Sequence, residues 1–282
     1  MSWMLDAARA VRHAPVLRHA EPLWRRVRPL FHRLLDLRGR GVPVDVGHGR
    51  TLRIPAVFTG AVGEWAGYEP ECADMVAGWA AAHPNGVMLD LGCAMGMFAT
   101  LALQYGSGVR VIAADADDAS LACTRRFAHR DAGRLSLLWG LLDRAQPVPA
   151  TLQEALARTE ERLRAPELAR GLAATRYVCL EDAGAAALPH YSLDGLGTAT
   201  ALPPGPLLIK CDVEGAELFV LQGAAGLIAA RRPTLLLSVH PPALPKHGHC
   251  VADVAAFLTA HRYAWRVIAF DHEEHWLAEP AA

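Results

Sequence analysis

Four charged residues crowd the end of one apolar run, Leu207-Leu208-Ile209-Lys210-Cys211-Asp212-Val213-Glu214-Gly215-Ala216-Glu217. Neither burial nor helix formation calls for Lys210, Asp212, Glu214 and Glu217 in so short a span. A carboxylate fixed at a strand end can take a proton from a reacting hydroxyl, a service worth about 10²–10⁴ in rate. Asp212 is the first candidate for that base, with capping of the following helix as its alternative. Glu214 either orients the acceptor or Lys210, or supplies favourable charge at a helix start. A cap alone leaves Lys210, Glu214 and Glu217 unexplained. His240, closing a later apolar run, is the second candidate base; a purely structural histidine is its alternative.

A second junction lies ~120 residues earlier, Val87-Met88-Leu89-Asp90-Leu91-Gly92-Cys93-Ala94-Met95-Gly96. Gly92 and Gly96 bracket a turn, with Cys93 inside it, where a backbone without Cβ atoms lets a ligand approach the free N–H groups of a helix start. Asp115 closes the next apolar run, where a carboxylate can accept both hydroxyls of a ribose. Asp117 and Asp118 compete for that role and fit better as caps of the next helix. Asp90 just ahead of the turn would repel a pyrophosphate, and the turn reads GxxxG rather than GxGxxG. The zwitterionic, sulfonium-bearing S-adenosylmethionine suits such a carboxylate better than a dinucleotide does. Leu141 and Leu142 can flank its adenine, Asp143 can take the adenine amino group, and Glu69 can enter the same pocket.

These residues need a scaffold, and the pattern supplies one. From about residue 70, strands are expected at 87–91, 109–114, 135–139, 206–211, 234–239, 265–270 and 275–278. Helices are expected near 71–82, 97–105, 119–129, 216–230 and 251–262. Such alternation is an α/β doubly wound sheet. Only Asp271-His272-Glu273-Glu274 separates the last two strands, so they should pair antiparallel. The connection 142–206 is far longer than an ordinary crossover. Thr151-Leu152-Gln153-Glu154 opens a helix within it by a capping box, and it leaves the carboxyl edge as a lid or as a surface insertion.

Ahead of this domain, taken as 61–282, residues 1–60 form a helical arm and a hairpin. Leu23, Trp24, Val27, Leu30, Phe31, Leu34 and Leu35 make an apolar stripe flanked by arginines. That stripe packs on its own domain or a second subunit, giving a homodimer, or else it rests on an anionic membrane surface. Val44 and Val46 alternate toward a Gly47-His48-Gly49 turn, with Leu52 and Ile54 returning. Of the 282 residues only Lys210 and Lys246 are lysines, and the net charge is −1. Residues 1–40 carry about +6 and the remainder about −7, and an acidic body argues against nucleic acid as partner. Six scattered cysteines without a CxxC pair, no secretory h-region and no apolar run of ~18 residues make a cytoplasmic, reduced setting the expectation. His247-Gly248-His249-Cys250 and His272-Glu273-Glu274-His275 lack the spacing of a structural zinc site.

The run Ile209-Lys210-Cys211-Asp212-Val213-Glu214-Gly215-Ala216-Glu217, continued by Val220-Leu221-Gln222-Gly223-Ala224, resembles the signature of the FkbM-type methyltransferases, IKxDVEGAE followed by VLxGA. The resemblance extends over roughly residues 60–270, through Tyr68-Glu69, the Leu89–Gly96 turn, Asp115, Leu193-Asp194 and Val239-His240-Pro241. It implies a class I methyltransferase sheet of seven strands with the last antiparallel. It also implies S-adenosylmethionine-dependent methylation, most often of an oxygen on a saccharide, glycolipid or glycosylated natural product. Asp212 with Asp194 could hold Mg²⁺ against a vicinal diol, as some sugar methyltransferases do. The chain departs from the usual family form at Cys93-Ala94 (commonly Ala-Asn), Asp115-Ala116 (commonly Glu-Pro) and Ser238 (commonly Glu). N-methylation, a nicotinamide oxidoreductase and a noncatalytic adenosine-binding partner are the alternatives.

Overall fold

The computed structural model describes residues 41–55, 64–165, 168 and 188–281. The arm ahead of residue 41, its apolar stripe and much of the 142–206 connection lie outside the described residues. The chain divides into two units between Tyr68 and Glu69.

In the first unit, β1 (Val42–Asp45) pairs antiparallel with β2 (Thr51–Ile54), as the alternation of Val44 and Leu52 predicts. The Asp45 carboxylate accepts the Gly47 N–H at 2.9 Å and fixes the entry to the turn.

The second unit is a seven-stranded sheet in the order β10–β11–β9–β8–β3–β4–β5. Its strands are β3 (Val87–Leu91), β4 (Arg110–Asp115), β5 (Leu135–Trp139), β8 (Leu207–Cys211), β9 (Thr234–Val239), β10 (Tyr263–Phe270) and β11 (Glu274–Pro280). Central strands β3 and β8 are buried throughout, which is why both read as unbroken apolar runs. All pairs are parallel except those of β11, which is antiparallel to both β9 and β10. This is the sheet that the resemblance implies, seven strands with the last antiparallel, and that strand is inserted between its two predecessors. Leu89, Leu91, Ile209, Cys211, Leu235, Leu237 and Trp276 share one core.

The helices are α1 (Pro70–Ala82), α2 (Met97–Tyr105), α3 (Asp118–Phe127), α4 (Leu152–Arg162), α5 (Thr198–Ala201), α6 (Glu217–Gln222), α7 (Ala225–Arg231) and α8 (Val251–Ala260). Asp117 caps α3 by accepting the N–H groups of Ala119 and Ser120. Thr151 and Glu154 form the expected capping box on α4. Near it, two short strands, β6 (Leu141–Leu142) and β7 (His190–Tyr191), pair in parallel.

One helix differs from expectation: the single helix at 216–230 is two. The break at Gly223-Ala224 has a long-range cause. A Cβ on Gly223 would stand 2.1 Å from the Asp143 carbonyl oxygen. The Asp194 carboxylate then accepts the N–H groups of Gly226 and Leu227 at 2.7 and 2.8 Å, starting α7 afresh. Among the described residues, no helix is long and apolar enough to cross a membrane.

Candidate active site

Parallel pairing puts the carboxyl ends of β3, β4, β5, β8 and β9 on one edge of the sheet. Asp90 and Lys210 are register partners across β3 and β8. Antiparallel pairing of β11 with β9 brings the turn before β11 to the same edge, since His275 lies opposite Ser238.

The turn after β3 is packed closely against the turn after β8. Gly92 has φ +78°, and a Cβ there would stand 1.6 Å from the Asp212 carbonyl oxygen. The Asp212 N–H donates to the Leu91 carbonyl at 2.9 Å. The two signature turns are therefore seated on one another. Gly96, φ +82°, leaves room for Thr124, whose hydroxyl donates to the Ala94 carbonyl at 3.0 Å. Cys93 is buried with its sulfur 3.5 Å from the Thr124 hydroxyl.

Asp90 is buried, and one of its carboxylate oxygens accepts the Ala99 N–H at 2.9 Å in the first turn of α2. The other has no hydrogen-bond partner among the described residues. Burial pushes its pKa up to about 6, against the pull of Lys210. Asp115 ties two turns together, accepting from the N–H groups of Ala94 at 2.9 Å and Asp117 at 2.8 Å. Burial raises it to about 7. Leu142 is buried in β6. Asp143 stands beside it, accepting the Arg144 N–H at 2.6 Å and lying 3.6 Å from His190 Nδ1.

Lys210 is wholly buried, with its ammonium 2.9 Å from Asp212 Oδ2 and 4.5 Å from the centre of the Phe98 ring. Burial pulls its pKa down, but Asp212, Glu69 and Asp90 outweigh that and hold it well above the ordinary lysine value. Glu69, at the start of α1, is buried too, and burial raises its pKa.

His240 sits among four carboxylates. Its Nδ1 is 2.8 Å from Glu217 Oε1, and its Nε2 touches Glu273 Oε2 and lies 3.5 and 3.7 Å from Glu214 Oε2 and Asp212 Oδ1. Burial works against its charge, yet Glu217 and Glu273 prevail and raise the pKa to about 11. In that state the ring donates protons instead of accepting them. His275 is buried behind this group, within 3.1 Å of the Ser238 hydroxyl and 3.6 Å of Glu273 Oε1.

The structure thus gathers Lys210, Asp212, Glu214 and His240 into one cluster and adds Glu69. Three members, Glu217, Glu273 and His275, were not assigned a role by sequence reasoning. Glu217 lay within the signature, whereas Glu273 and His275 become neighbours only through the β9–β11 pairing. Asp194 stands apart. Both its oxygens serve the start of α7, and the groups of candidate ligands containing Asp212 take Glu214 with His240, or Glu69 with Glu273. A magnesium ion on Asp212 and Asp194 is therefore not supported.

Residues 165–264 match the Methyltransferase FkbM domain. No curated protein matches the chain. Among solved structures, an FkbM methyltransferase from Methylobacillus flagellatus KT is similar at 17% identity and TM-score 0.45, over 70% of this chain and 44% of that one. This chain thus spans less than half the length of that protein. An O-methyltransferase from Bacillus cereus in complex with SAH is similar at 12% identity and TM-score 0.45, over 79% and 86% of the two chains. Precorrin-6y C5,15-methyltransferase from Geobacter metallireducens GS-15 is similar at 12% identity and TM-score 0.43, over 79% and 92%. Likenesses this distant say nothing about substrate. The signature run Ile209–Glu217 lies inside the stretch, residues 165–264, that is similar to the Methyltransferase FkbM domain.

Proposed function

We propose that the protein transfers a methyl group from S-adenosylmethionine to a hydroxyl of a saccharide, glycolipid or glycosylated natural product. The observation that carries this reading is the seat between the two turns, where Gly92 admits the Asp212 backbone and sets a base candidate beside a cofactor turn.

The residues present fit the cofactor. Asp90 keeps a buried carboxylate oxygen without a hydrogen-bond partner among the described residues, suited to an ammonium group. Each Asp115 oxygen holds one backbone N–H and retains a lone pair for a ribose hydroxyl. Gly92, Cys93 and Gly96 would shape the turn, Leu142 and Asp143 would face the adenine, and Glu69 would close the side near Lys210. When bound, S-adenosylmethionine supplies a methyl carbon activated by its sulfonium.

The chain's own residues then position and deprotonate the acceptor. Asp212 takes the hydroxyl proton, and Lys210 fixes its orientation through the 2.9 Å contact. Glu214, the more exposed carboxylate, orients the acceptor. His240, held by Glu217, donates to an acceptor oxygen. Holding an acceptor ~3 Å from the methyl carbon can supply several kcal/mol of the barrier.

The test is transfer of labelled methyl from S-adenosylmethionine to a panel of sugars and glycosides, with Asp212→Asn alongside. Label in a hydroxyl-bearing acceptor, cut about 10²-fold or more in Asp212→Asn, supports the assignment. Label only in amines would overturn oxygen as the acceptor. Cofactor binding with no transfer to any acceptor would favour the noncatalytic alternative.

A further inference from the structure

We infer that the chain forms a homodimer by antiparallel pairing of β10 with β10 of a second copy. The seven-stranded sheet ends on β5 at one side and on β10 at the other, and the two edges are treated differently. On β5 the Trp139 backbone N–H donates to the Thr159 hydroxyl of α4 at 2.8 Å, and the Arg162 guanidinium lies 5.3 Å from the centre of the Trp139 ring. That helix closes the edge. Among the described residues β10 pairs with β11 alone, and its eight residues include neither proline nor lysine. Edges are ordinarily blunted by such residues, by shortness or by a cover, because an open apolar edge recruits another strand.

Three β10 side chains are apolar and open to solvent, Trp265 at 38%, Val267 at 41% and Phe270 at 71% exposed. Simple alternation would turn Phe270 away from the other two. A bulge between Val267 and Ala269 brings it back. Trp265, Val267 and Phe270 stand opposite Ala278, Trp276 and Glu274, which alternate along β11 and so share one face. The three therefore form one row. Trp265 stacks on the buried Trp276 with ring centres 4.0 Å apart, so the row extends the core to the open edge.

A second copy fits this edge better than an unrelated strand. A two-fold axis normal to the sheet runs the two β10 strands antiparallel and keeps each face on its own side, so the two apolar rows adjoin. Arg266 is the one charge on β10, and it is already engaged by Glu279 at 3.3 Å. The remaining charges lie at the strand's ends, with exposed Arg262 before it and exposed Asp271 after it. Antiparallel pairing of identical strands sets Arg262 of each copy against Asp271 of the other, whereas parallel pairing would set like charges together. The same axis points the two carboxyl edges in opposite directions and leaves each crevice open. The dimer does not depend on the methyl-transfer reading.

The experiment is sedimentation equilibrium of full-length protein at concentrations up to about 100 µM, enough to populate a dimer of micromolar affinity. A dimer is expected. Val267→Lys and Phe270→Lys set like charges in the adjoining rows and should each weaken it by about tenfold or more. Arg262→Glu should weaken it by about two- to tenfold, the scale of exposed ion pairs. Val148→Lys, at an exposed apolar residue outside the strand, should leave it unchanged. Hydrogen exchange of β10 amides should slow with rising concentration in the wild type and not in Val267→Lys. Thermal melts check that the variants fold; should one lysine variant unfold, the other and the exchange comparison decide. A wild-type monomer at every concentration overturns the inference. So does a dimer that survives both lysine variants, since its interface then lies elsewhere, such as on the apolar stripe of residues 23–35.

Discussion

Replacing Gly92 by alanine tests the seat between the two signature turns. The backbone at Gly92 has φ +78°, and an alanine held in the left-handed region costs about 1–2 kcal/mol. The added Cβ would also stand 1.6 Å from the Asp212 carbonyl oxygen and 2.7 Å from its carbon. No flexible side chain end can swing aside there, so backbone must move, at about 1–3 kcal/mol. The expected loss is about 2–5 kcal/mol, or a melting temperature lower by roughly 5–20 °C for a domain of this size. Gly197→Ala is the control. It has φ +68° with nothing within 4 Å of a built Cβ, so it should cost about 1–2 kcal/mol from backbone strain alone. Thermal melts and S-adenosylhomocysteine titrations of both variants give the comparison. Gly92→Ala should be clearly the less stable and should bind the ligand more weakly. If the two variants melt together and bind alike, the seat has no energetic meaning and the reasoning fails.

Further expectations concern single side chains. Lys210→Met removes the buried ammonium facing Asp212, Glu69 and Asp90, and should cost about 3–5 kcal/mol in urea unfolding; wild-type stability would refute the pairing. Asp194→Ala should lose about 0.5–2 kcal/mol through the start of α7, with ligand affinity unchanged by calorimetry. Asp115, raised to about 7, should make S-adenosylhomocysteine affinity climb as pH rises through that value, since the ionised form is the better acceptor of hydroxyls. Asp115→Asn should flatten this profile. The same shift acts on stability in the other direction. The folded protein holds this proton more tightly than the unfolded chain, so its contribution falls as pH rises from about 4 to about 7.

Much of the scaffold was legible because β3 and β8 are buried along their length and β9 beyond its first residue. Each reads as an apolar run that stops at its first charge, so Asp90, Lys210 and His240 marked the carboxyl edge directly. What stayed hidden depends on contacts distant in sequence. The break between α6 and α7 follows from Asp194, 32 residues before Gly226. Glu273 and His275 enter the cluster through antiparallel pairing of β11 with β9, whose register no local pattern displays. Gly92 was legible as a glycine that a turn requires, but the atom that excludes a Cβ belongs to Asp212. His240 was legible as a strand-end histidine, whereas its four carboxylate neighbours come from two separate segments, 212–217 and the turn at Glu273.

Calorimetric titration with S-adenosylhomocysteine, and separately with NAD⁺, on wild-type protein and folded Asp115→Ala is the most direct test of the cofactor assignment. Micromolar binding of S-adenosylhomocysteine alone, lost in Asp115→Ala, is the predicted result. Binding of NAD⁺ instead, or S-adenosylhomocysteine binding untouched by Asp115→Ala, would contradict it.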